Sequence, residues 1–193
     1  MLILDVNTQC SPIGTNNQTR FTAVTNHGFY LNTAYPAPCS GTVQKWRYCR
    51  YQPSDTNGNN YRATLAVYRR VGSGDEVRYE RVSSVFTASM GRRQIRSQRF
   101  SCHNLNVPDF TIEAGDYVGA CIYDPIDNDR VRRQLDIVGQ TSGYSLMQMN
   151  DVSECGDNSM PSNISSSLLS TVNSRILHLY ATITGLSKTC ISS

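Results

Sequence analysis

Hydrophobic and polar residues alternate in short runs along most of the chain, and turn-forming residues separate the runs. Examples are RFTAV (20–24), GTVQKWRYCRY (41–51), YRATLAVYRRV (61–71) and RILHLYATITG (175–185). Because successive side chains of a strand point to opposite faces, this two-residue period predicts β-strands. Helical periodicity is nearly absent, and its one candidate, SSSLLSTVNS (165–174), reads equally well as a loop. Eight to ten strands predict an all-β fold, a two-sheet antiparallel β-sandwich with a jelly roll as the expected order.

The length and hydropathy of the chain predict one domain over residues 1–193. The chain is 39% hydrophobic, and neither a fixed-period repeat nor a linker divides it. One sizeable core is common for an all-β chain of this length. No run approaches the roughly 18 apolar residues of a membrane span, so no direct membrane insertion is expected. The segment GFYLNTAYPAPCSG (28–41) carries two prolines and is predicted to be an edge or connecting segment.

Seven dispersed cysteines, with no C-x-x-C pair, argue against a zinc ribbon or a thioredoxin-like site. In a chain rich in Thr, Ser and Asn they favour disulfides and an oxidising, extracellular setting. A cytosolic protein with free buried cysteines is the alternative. Two sequons, at Asn17 and Asn163, predict N-glycosylation.

The odd number of cysteines leaves one without a partner inside the domain, and spacing alone allows 105 arrangements of three disulfides. Cys10 and Cys190 are expected to pair because the two termini of a sandwich can come close. Cys102 and Cys121 are expected to pair because they bracket a strand-turn-strand unit. The remaining predicted disulfide cysteines are Cys39 and Cys49.

The only tryptophan, Trp46, lies between Cys39 and Cys49 in a predicted strand. Strict alternation places Trp46 and Tyr48 on one face. Their rings could stack on a sugar or another flat ligand. The alternative, which we favour, is a core strand whose indole packs near a disulfide, as in other sandwiches.

Basic charge is concentrated in one part of the chain. Residues 45–99 carry twelve basic and four acidic side chains, a net charge of +8, whereas the rest carries −5. Arginine binds sulfate, phosphate and carboxylate through a planar fork, so one basic face could bind an acidic glycan or an acidic protein. The alternative is charge spread over the whole exterior. The candidate ligand-binding arginines are Arg62, Arg70, Arg78 and Arg81.

The loop DPIDNDR (124–130) is the one candidate metal site, because clustered carboxylates can bind calcium. Its candidate ligands are Asp124, Asp127 and Asp129, but the spacing is not that of an EF-hand, and a solvated loop is the favoured interpretation. We therefore expect no cofactor.

No catalytic constellation is recognisable in the sequence. The three histidines, His27, His103 and His178, are dispersed, and neither a G-x-S-x-G elbow nor a nucleotide-binding loop occurs. We therefore expect that the chain is not an enzyme.

Four segments carry a resemblance to a known class of module. They are PCSGTVQKWRYC, ATLAVYRRV, FSCHNLNVPDFTIEAGDYVGACI and RILHLYATI. Together, over roughly residues 35 to 183, they resemble an extracellular β-sandwich module of secreted and cell-surface proteins of marine invertebrates, sponges especially. The resemblance implies an extracellular setting and a role in recognition or adhesion, and no catalytic residues.

The expected function is therefore non-catalytic, extracellular binding of a glycan or protein ligand, with no nucleic-acid partner. The first alternative is a carrier that encloses a small hydrophobic or aromatic metabolite between the sheets, where the methionines of YSLMQM (144–149) could line a cavity. The second is a hydrolase with an unrecognised site. An apolar cavity between the sheets favours the carrier, and a shallow basic or aromatic groove favours glycan binding.

Overall fold

A computed structural model describes most of the chain. The described residues are 10, 13–14, 22–24, 28–52, 62–89, 99–105, 108–123, 135–149, 153–156, 158–177 and 179–184. They include two short 3-10 helices, Gly74–Glu76 and Ser166–Leu168, and fourteen strands. The strands are β1 (Ile13–Gly14), β2 (Thr22–Val24), β3 (Gly28–Leu31), β4 (Gly41–Gln52), β5 (Arg62–Val71), β6 (Arg78–Arg81), β7 (Phe86–Ser89), β8 (Arg99–Leu105), β9 (Phe110–Ile112), β10 (Tyr117–Tyr123), β11 (Leu135–Met149), β12 (Asn163–Ser165), β13 (Ser170–Leu177) and β14 (Leu179–Thr184).

The strands form two antiparallel sheets. The five-stranded sheet has the order β1-β14-β4-β8, with β9 also paired to β4. The nine-stranded sheet has the order β12-β6-β5-β10-β3-β11-β13, with β2 paired to β11 and β7 paired to β5. The predicted all-β fold with two antiparallel sheets is therefore confirmed. A jelly-roll order and a single domain over residues 1–193 stay predictions.

A hydrophobic core lies between the two sheets and joins them. Its members are at most 8% exposed, because alternate side chains of both sheets point inward. The five-stranded sheet contributes Val43, Trp46, Leu105, Ile112, Leu179 and Ile183, and the nine-stranded sheet contributes Tyr30, Leu65, Val67, Val118, Ile122, Leu146 and Leu177.

A bulge in β4 changes which of its side chains reach this core. Thr182 of β14 pairs with Lys45, but the next residue, Ile183, pairs with Val43, so β4 has one extra residue at this point. The extra residue breaks the two-residue alternation, so Val43 and Trp46 both point into the core. Without the bulge, strict alternation would place these two residues on opposite faces of β4.

The segment predicted to be an edge or connection contains a central strand. β3 lies between β10 and β11 in the nine-stranded sheet, and its four residues are all buried. The prolines, Pro36 and Pro38, follow the strand, so they do not interrupt its hydrogen bonds. The candidate helix at 165–174 is likewise mostly extended, with one 3-10 turn before β13.

A second core lies on the other face of the nine-stranded sheet. Residues 153–156 and 158–162, which we call the strap, cross this face before the chain joins the sheet as β12. The buried residues of this core are Phe29, Leu31, Ala66, Tyr68, Val77, Tyr79, Cys121, Met160, Ile164 and Leu169. Both faces of β5 are therefore buried along its middle, from Ala63 to Tyr68.

Three disulfides staple the described chain, namely Cys10–Cys39, Cys49–Cys102 and Cys121–Cys155. The predicted Cys10–Cys190 pair is wrong, because Cys10 bonds to Cys39. Cys190 lies outside the described residues. Three disulfides are compatible with an oxidising extracellular environment.

The predicted Cys102–Cys121 pair is also wrong, because Cys102 bonds to Cys49 and Cys121 bonds to Cys155. Cys102 lies directly opposite Cys49 on the neighbouring strand, with their Cα atoms 4.0 Å apart. Cys121 instead fixes the strap to β10 through Cys155. Spacing along the chain could not show either cross-strand register or the path of the strap.

Candidate functional site: a groove at the rim of the two sheets

An open groove of about 380 Å³ lies where the five-stranded sheet meets the loop between β6 and β7. Four of its seven lining residues carry hydroxyl groups, one carries a carboxylate, and two are apolar. The hydroxyl residues are Thr42, Ser83, Ser84 and Thr111, the carboxylate belongs to Asp109, and the apolar residues are Phe110 and Val82. The groove thus combines an aromatic ring with polar oxygens.

Hydrogen bonds to β5 hold the first wall of the groove. The backbone N–H of Val67 donates to Ser83 Oγ at 2.9 Å, and Ser83 Oγ donates to the backbone oxygen of Ser84 at 2.9 Å. The N–H of Val82 donates to the oxygen of Val67 at 2.9 Å. Because the Ser83 hydroxyl is occupied in this way, its role in the groove is to fix the loop.

Strand pairing and the inter-sheet core hold the opposite wall. Thr42 and Thr111 are directly paired residues of β4 and β9. The half-buried ring of Phe110 lies 5.8 Å from the ring of Trp46, with a tilt of 30° between their planes. Because Trp46 is fully buried, it supports Phe110 from below and fixes the orientation of the phenyl ring that lines the groove.

Several polar groups of the groove have no protein partner in the described part of the chain. The side chains of Asp109, Ser84 and Thr111 are exposed, and neither they nor the Thr42 hydroxyl form a hydrogen bond or ion pair with a described residue. A ligand can therefore bond to them without first breaking a bond to any described residue. None of these seven residues is basic, so Asp109 carries the only formal charge among the described residues that line the groove.

The four predicted arginines do not form one face. Arg70 pairs with Tyr79 and Arg81 pairs with Tyr68, so both lie on the strap side of the nine-stranded sheet. Arg78 neighbours Tyr79 in β6 and therefore points to the opposite side. The hypothesis of a single four-arginine face is thus wrong, because strand alternation and register divide the residues.

Several of the candidate arginines already bond to other groups of the protein. Arg78 Nε donates to Glu80 Oε1 at 2.9 Å, and Arg81 donates to the backbone oxygen of Met160 at 2.7 Å. Arg62, which is half-buried, also has a partner. Arg70 is exposed and lies beside Tyr79. The formal charge of this region therefore exceeds the charge that is free to meet a ligand.

Arg69, which was not among the candidates, holds the turn after β9. Its guanidinium donates to both oxygens of Asp116, at 2.8 and 3.1 Å, and lies 3.1 Å from Glu113. Asp116 is 1% exposed and also accepts the N–H of Glu113 at 2.8 Å. The hydrogen bond to Asp116 raises the pKa of Arg69 above its ordinary value. This is a structural ion pair that positions the end of β9.

The aromatic candidates Trp46 and Tyr48 are core residues, at 0% and 4% exposed. Their assignment as ligand-binding residues is therefore wrong, because both point between the sheets, where no ligand can stack on them. The favoured alternative, a core strand, is confirmed. Trp46 influences the groove only through Phe110.

The remaining candidate residues are tested only in part. Asp124, Asp127 and Asp129, like Asn17, lie outside the described residues. Within the described chain, no group of three or more His, Cys, Asp or Glu side chains could hold a metal ion. Asn163 is exposed on β12, so its side chain is accessible. Among the described helices, none has the length and apolar character needed to cross a bilayer.

The groove residues Asp109, Phe110, Thr111 and Ser84 were not among the residues predicted from the sequence. The groove combines three segments that are far apart in sequence, around residues 42, 83 and 110. No periodicity or motif spacing links such segments. The only local signal is the polar interruption of the sequence before FTI (110–112), and such an interruption is typical of the start of any strand.

Comparison of the chain with protein-family models found no matching family, and neither a curated protein nor a solved structure matches it. The resemblance to the marine-invertebrate module therefore stays a prediction.

Proposed function

We propose that this protein is a non-catalytic, extracellular recognition domain that binds a glycan in the groove between Thr42 and Ser84. The observation that carries the proposal is that the phenyl ring of Phe110 lies beside hydroxyl and carboxylate groups that have no partner among the described residues. Sugars offer the complementary groups, since each ring has an apolar face of C–H groups and a rim of hydroxyls.

The dimensions of the groove suit one sugar residue of a longer glycan. Ligand sites usually measure about 300–1,000 Å³, and the groove, at about 380 Å³, is at the small end and open to solvent. An open site lets the rest of a chain extend into water. Affinity for a single residue is expected to be low, with a Kd on the order of 1 mM, because few groups are buried.

Binding is favoured over catalysis by the titratable groups of the groove. Asp109 is the single ionisable residue among the seven that line it. Glycoside hydrolysis in most families needs two carboxyl groups, one as acid and one as base or nucleophile. One carboxylate is sufficient for accepting hydrogen bonds from sugar hydroxyls.

The two other candidate ligands receive less support. A carrier needs space between the sheets, but the inter-sheet core contains close-packed residues at most 8% exposed, Trp46 among them. An acidic glycan or protein bound by arginines needs free cations on one face, but Arg78 and Arg81 already have partners and lie on opposite sides.

The extracellular setting rests on the three disulfides, which form and persist in oxidising compartments. The exposed sequon asparagine, Asn163, agrees with it. Mass spectrometry of protein purified from its natural source should find a glycan on Asn163.

Binding of immobilised glycans by the wild type and by a Phe110→Ala variant tests the proposal. The wild type should bind a subset of glycans, and the variant should lose at least about tenfold in affinity through loss of the stacking surface. Because Phe110 is half-buried, Thr111→Val serves as a second variant that removes an exposed hydroxyl and keeps the side-chain volume. Arg70→Gln is the matched control, since it changes an exposed residue outside the groove. Glycan binding that both groove variants retain in full would contradict the proposal.

A further inference from the structure

The charge of the groove points to the class of sugar that it binds. Asp109 is the only charged residue among the seven lining residues, and its carboxylate has no partner in the described chain. The four candidate arginines lie on strands β5 and β6, and none of them is among the described residues that line the groove. The charge that the described lining residues give the groove is therefore negative, although the chain as a whole carries +3.

A carboxylate without a counter-ion has two consequences for a ligand. It accepts hydrogen bonds from hydroxyl groups, and two adjacent hydroxyls can bond to its two oxygens as charge-assisted bonds, which are roughly twice as strong as neutral ones. It also repels a second anion, and the repulsion is larger beside a protein wall than in bulk water.

The other described side chains of the groove carry no charge that would offset this preference. The hydroxyls of Thr42, Ser84 and Thr111 donate and accept equally, so they discriminate little between neutral and anionic groups. The ring of Phe110 presents a negative face, which attracts C–H groups and cations but not anions. An anionic sugar would therefore find no compensating charge among the lining residues.

We propose that the groove is specific for neutral sugar residues, with Asp109 as the residue that selects them and rejects uronic acids and sulfated sugars. This inference rests on the proposed glycan-binding function. It replaces the acidic glycan that the basic composition of the chain suggested. A pyranose would place its apolar face on Phe110 and two neighbouring hydroxyls on the carboxylate of Asp109.

Matched pairs of methyl glycosides test the inference. The pairs are glucose with glucuronic acid, galactose with galacturonic acid, and mannose with mannuronic acid, and each pair differs only in the oxidation state of C6. Affinities are measured by chemical-shift titration at pH 7 and low salt. Within the pair whose neutral sugar binds best, the wild type should bind the uronate on the order of tenfold more weakly than it binds that neutral sugar. Added salt should reduce the ratio of the neutral-sugar affinity to the uronate affinity, because it screens charges across an exposed groove.

Asp109→Asn is the decisive variant, because the amide keeps the shape of the side chain and removes its charge. The variant should bind the neutral sugar several-fold more weakly and should no longer discriminate against the uronate, so that the ratio falls toward one. Asp75→Asn is the matched control, since Asp75 is an exposed carboxylate in a 3-10 helix outside the groove. It should leave both affinities unchanged.

The outcomes separate this inference from the proposed function. If the wild type binds the uronate as well as the neutral sugar or better, the neutral-sugar inference is overturned and the glycan-binding function remains. If Asp109→Asn leaves the ratio unchanged, Asp109 is not the selecting residue and the inference is again overturned. If no glycoside of either class, and no glycan on an array, shifts the groove signals, the proposed function is overturned and this inference with it.

Discussion

The groove and the strap-covered strands differ in how many of their polar groups the protein itself satisfies. Under the strap, the Tyr68 hydroxyl donates to the oxygen of Pro161 at 2.7 Å, and the Thr64 hydroxyl donates to the oxygen of Gly156 at 2.7 Å. In the groove, Asp109 and Thr111 have no partner in the described chain. A ligand at the first region must replace existing bonds, whereas a ligand at the second gains new ones.

The number of charged residues in a region does not indicate how many of them are free to meet a ligand. Most of the basic residues belong to the part of the chain that builds β4 to β8, and the structure uses several of them to hold other elements in place. The groove is small, polar and weakly charged. Availability of polar groups, rather than their number, distinguishes the two regions.

Removing the Cys121–Cys155 disulfide should have the largest effect on the strap-covered region. The bond closes a loop of 34 residues, so Cys121→Ala with Cys155→Ala should lower the free energy of unfolding by about 3–4 kcal/mol. Urea denaturation measures the change. Affinity for a neutral glycoside should be unchanged in the folded variant. If affinity falls in parallel with stability, the two regions are not independent.

Adding a methyl group at Gly119 should have the second-largest effect, because it would disturb the packing of the strap-covered core. A Cβ there would lie 2.5 and 2.7 Å from two ring carbons of Tyr68, so the ring must move. Overpacking of this kind makes Gly119→Ala destabilising by roughly 1–3 kcal/mol in thermal or urea unfolding. Gly156→Ala is the control, because its nearest contact would be 3.9 Å away. Equal stability of the two variants would contradict the described packing of Tyr68.

The alternation of residues in β5 explains why the strap-covered core could not be predicted from the sequence. Strict alternation along β5 places Ala63, Leu65 and Val67 on one face, and the structure buries all three between the sheets. It places Ala66 and Tyr68 on the other face, together with Arg62 and Arg70, whose charges predict exposure to solvent. A segment nearly 90 residues later covers that face, and its path depends on tertiary contacts that periodicity does not contain.

The strands, turns and absence of long helices could be predicted because they depend on local pattern and turn chemistry. The bulge in β4, the central place of β3 and the disulfide pairs could not, since each depends on which distant strand lies alongside. The same holds for the groove, where Thr42 and Asp109 meet only through strand pairing.

Alkaline pH should also lower the free energy of unfolding through the strap-covered core, and by less than the two changes described above. Burial raises the pKa of Tyr68 well above its ordinary value, so its hydroxyl stays protonated in the folded protein after the unfolded chain begins to ionise. Stability contributed by Tyr68 is thus fully present below about pH 10 and is lost as the pH rises above it, by up to about 1.4 kcal/mol per pH unit. Unfolding of wild type and Tyr68→Phe between pH 8 and 11 measures the difference. The slope above pH 10 should be smaller in the variant, and an identical slope would contradict the assignment.

The smallest effect is expected at the exposed pair of Arg78 and Glu80. Their side chains are 48% and 40% exposed, so the 2.9 Å contact is screened by water. Arg78→Gln should change the free energy of unfolding by less than about 1 kcal/mol and should leave glycan affinity unchanged. Thermal unfolding and a glycoside titration check both statements. A marked loss of glycan binding would show that the basic strands, and not the groove, carry recognition.

Mapping the backbone amide shifts of labelled protein during titration with a neutral methyl glycoside tests the central claim most directly. We expect shifts that saturate together at Thr42, Ser84 and Thr111, with no change at Arg70 and Arg78. Saturating shifts at the arginines, with none in the groove, would contradict it.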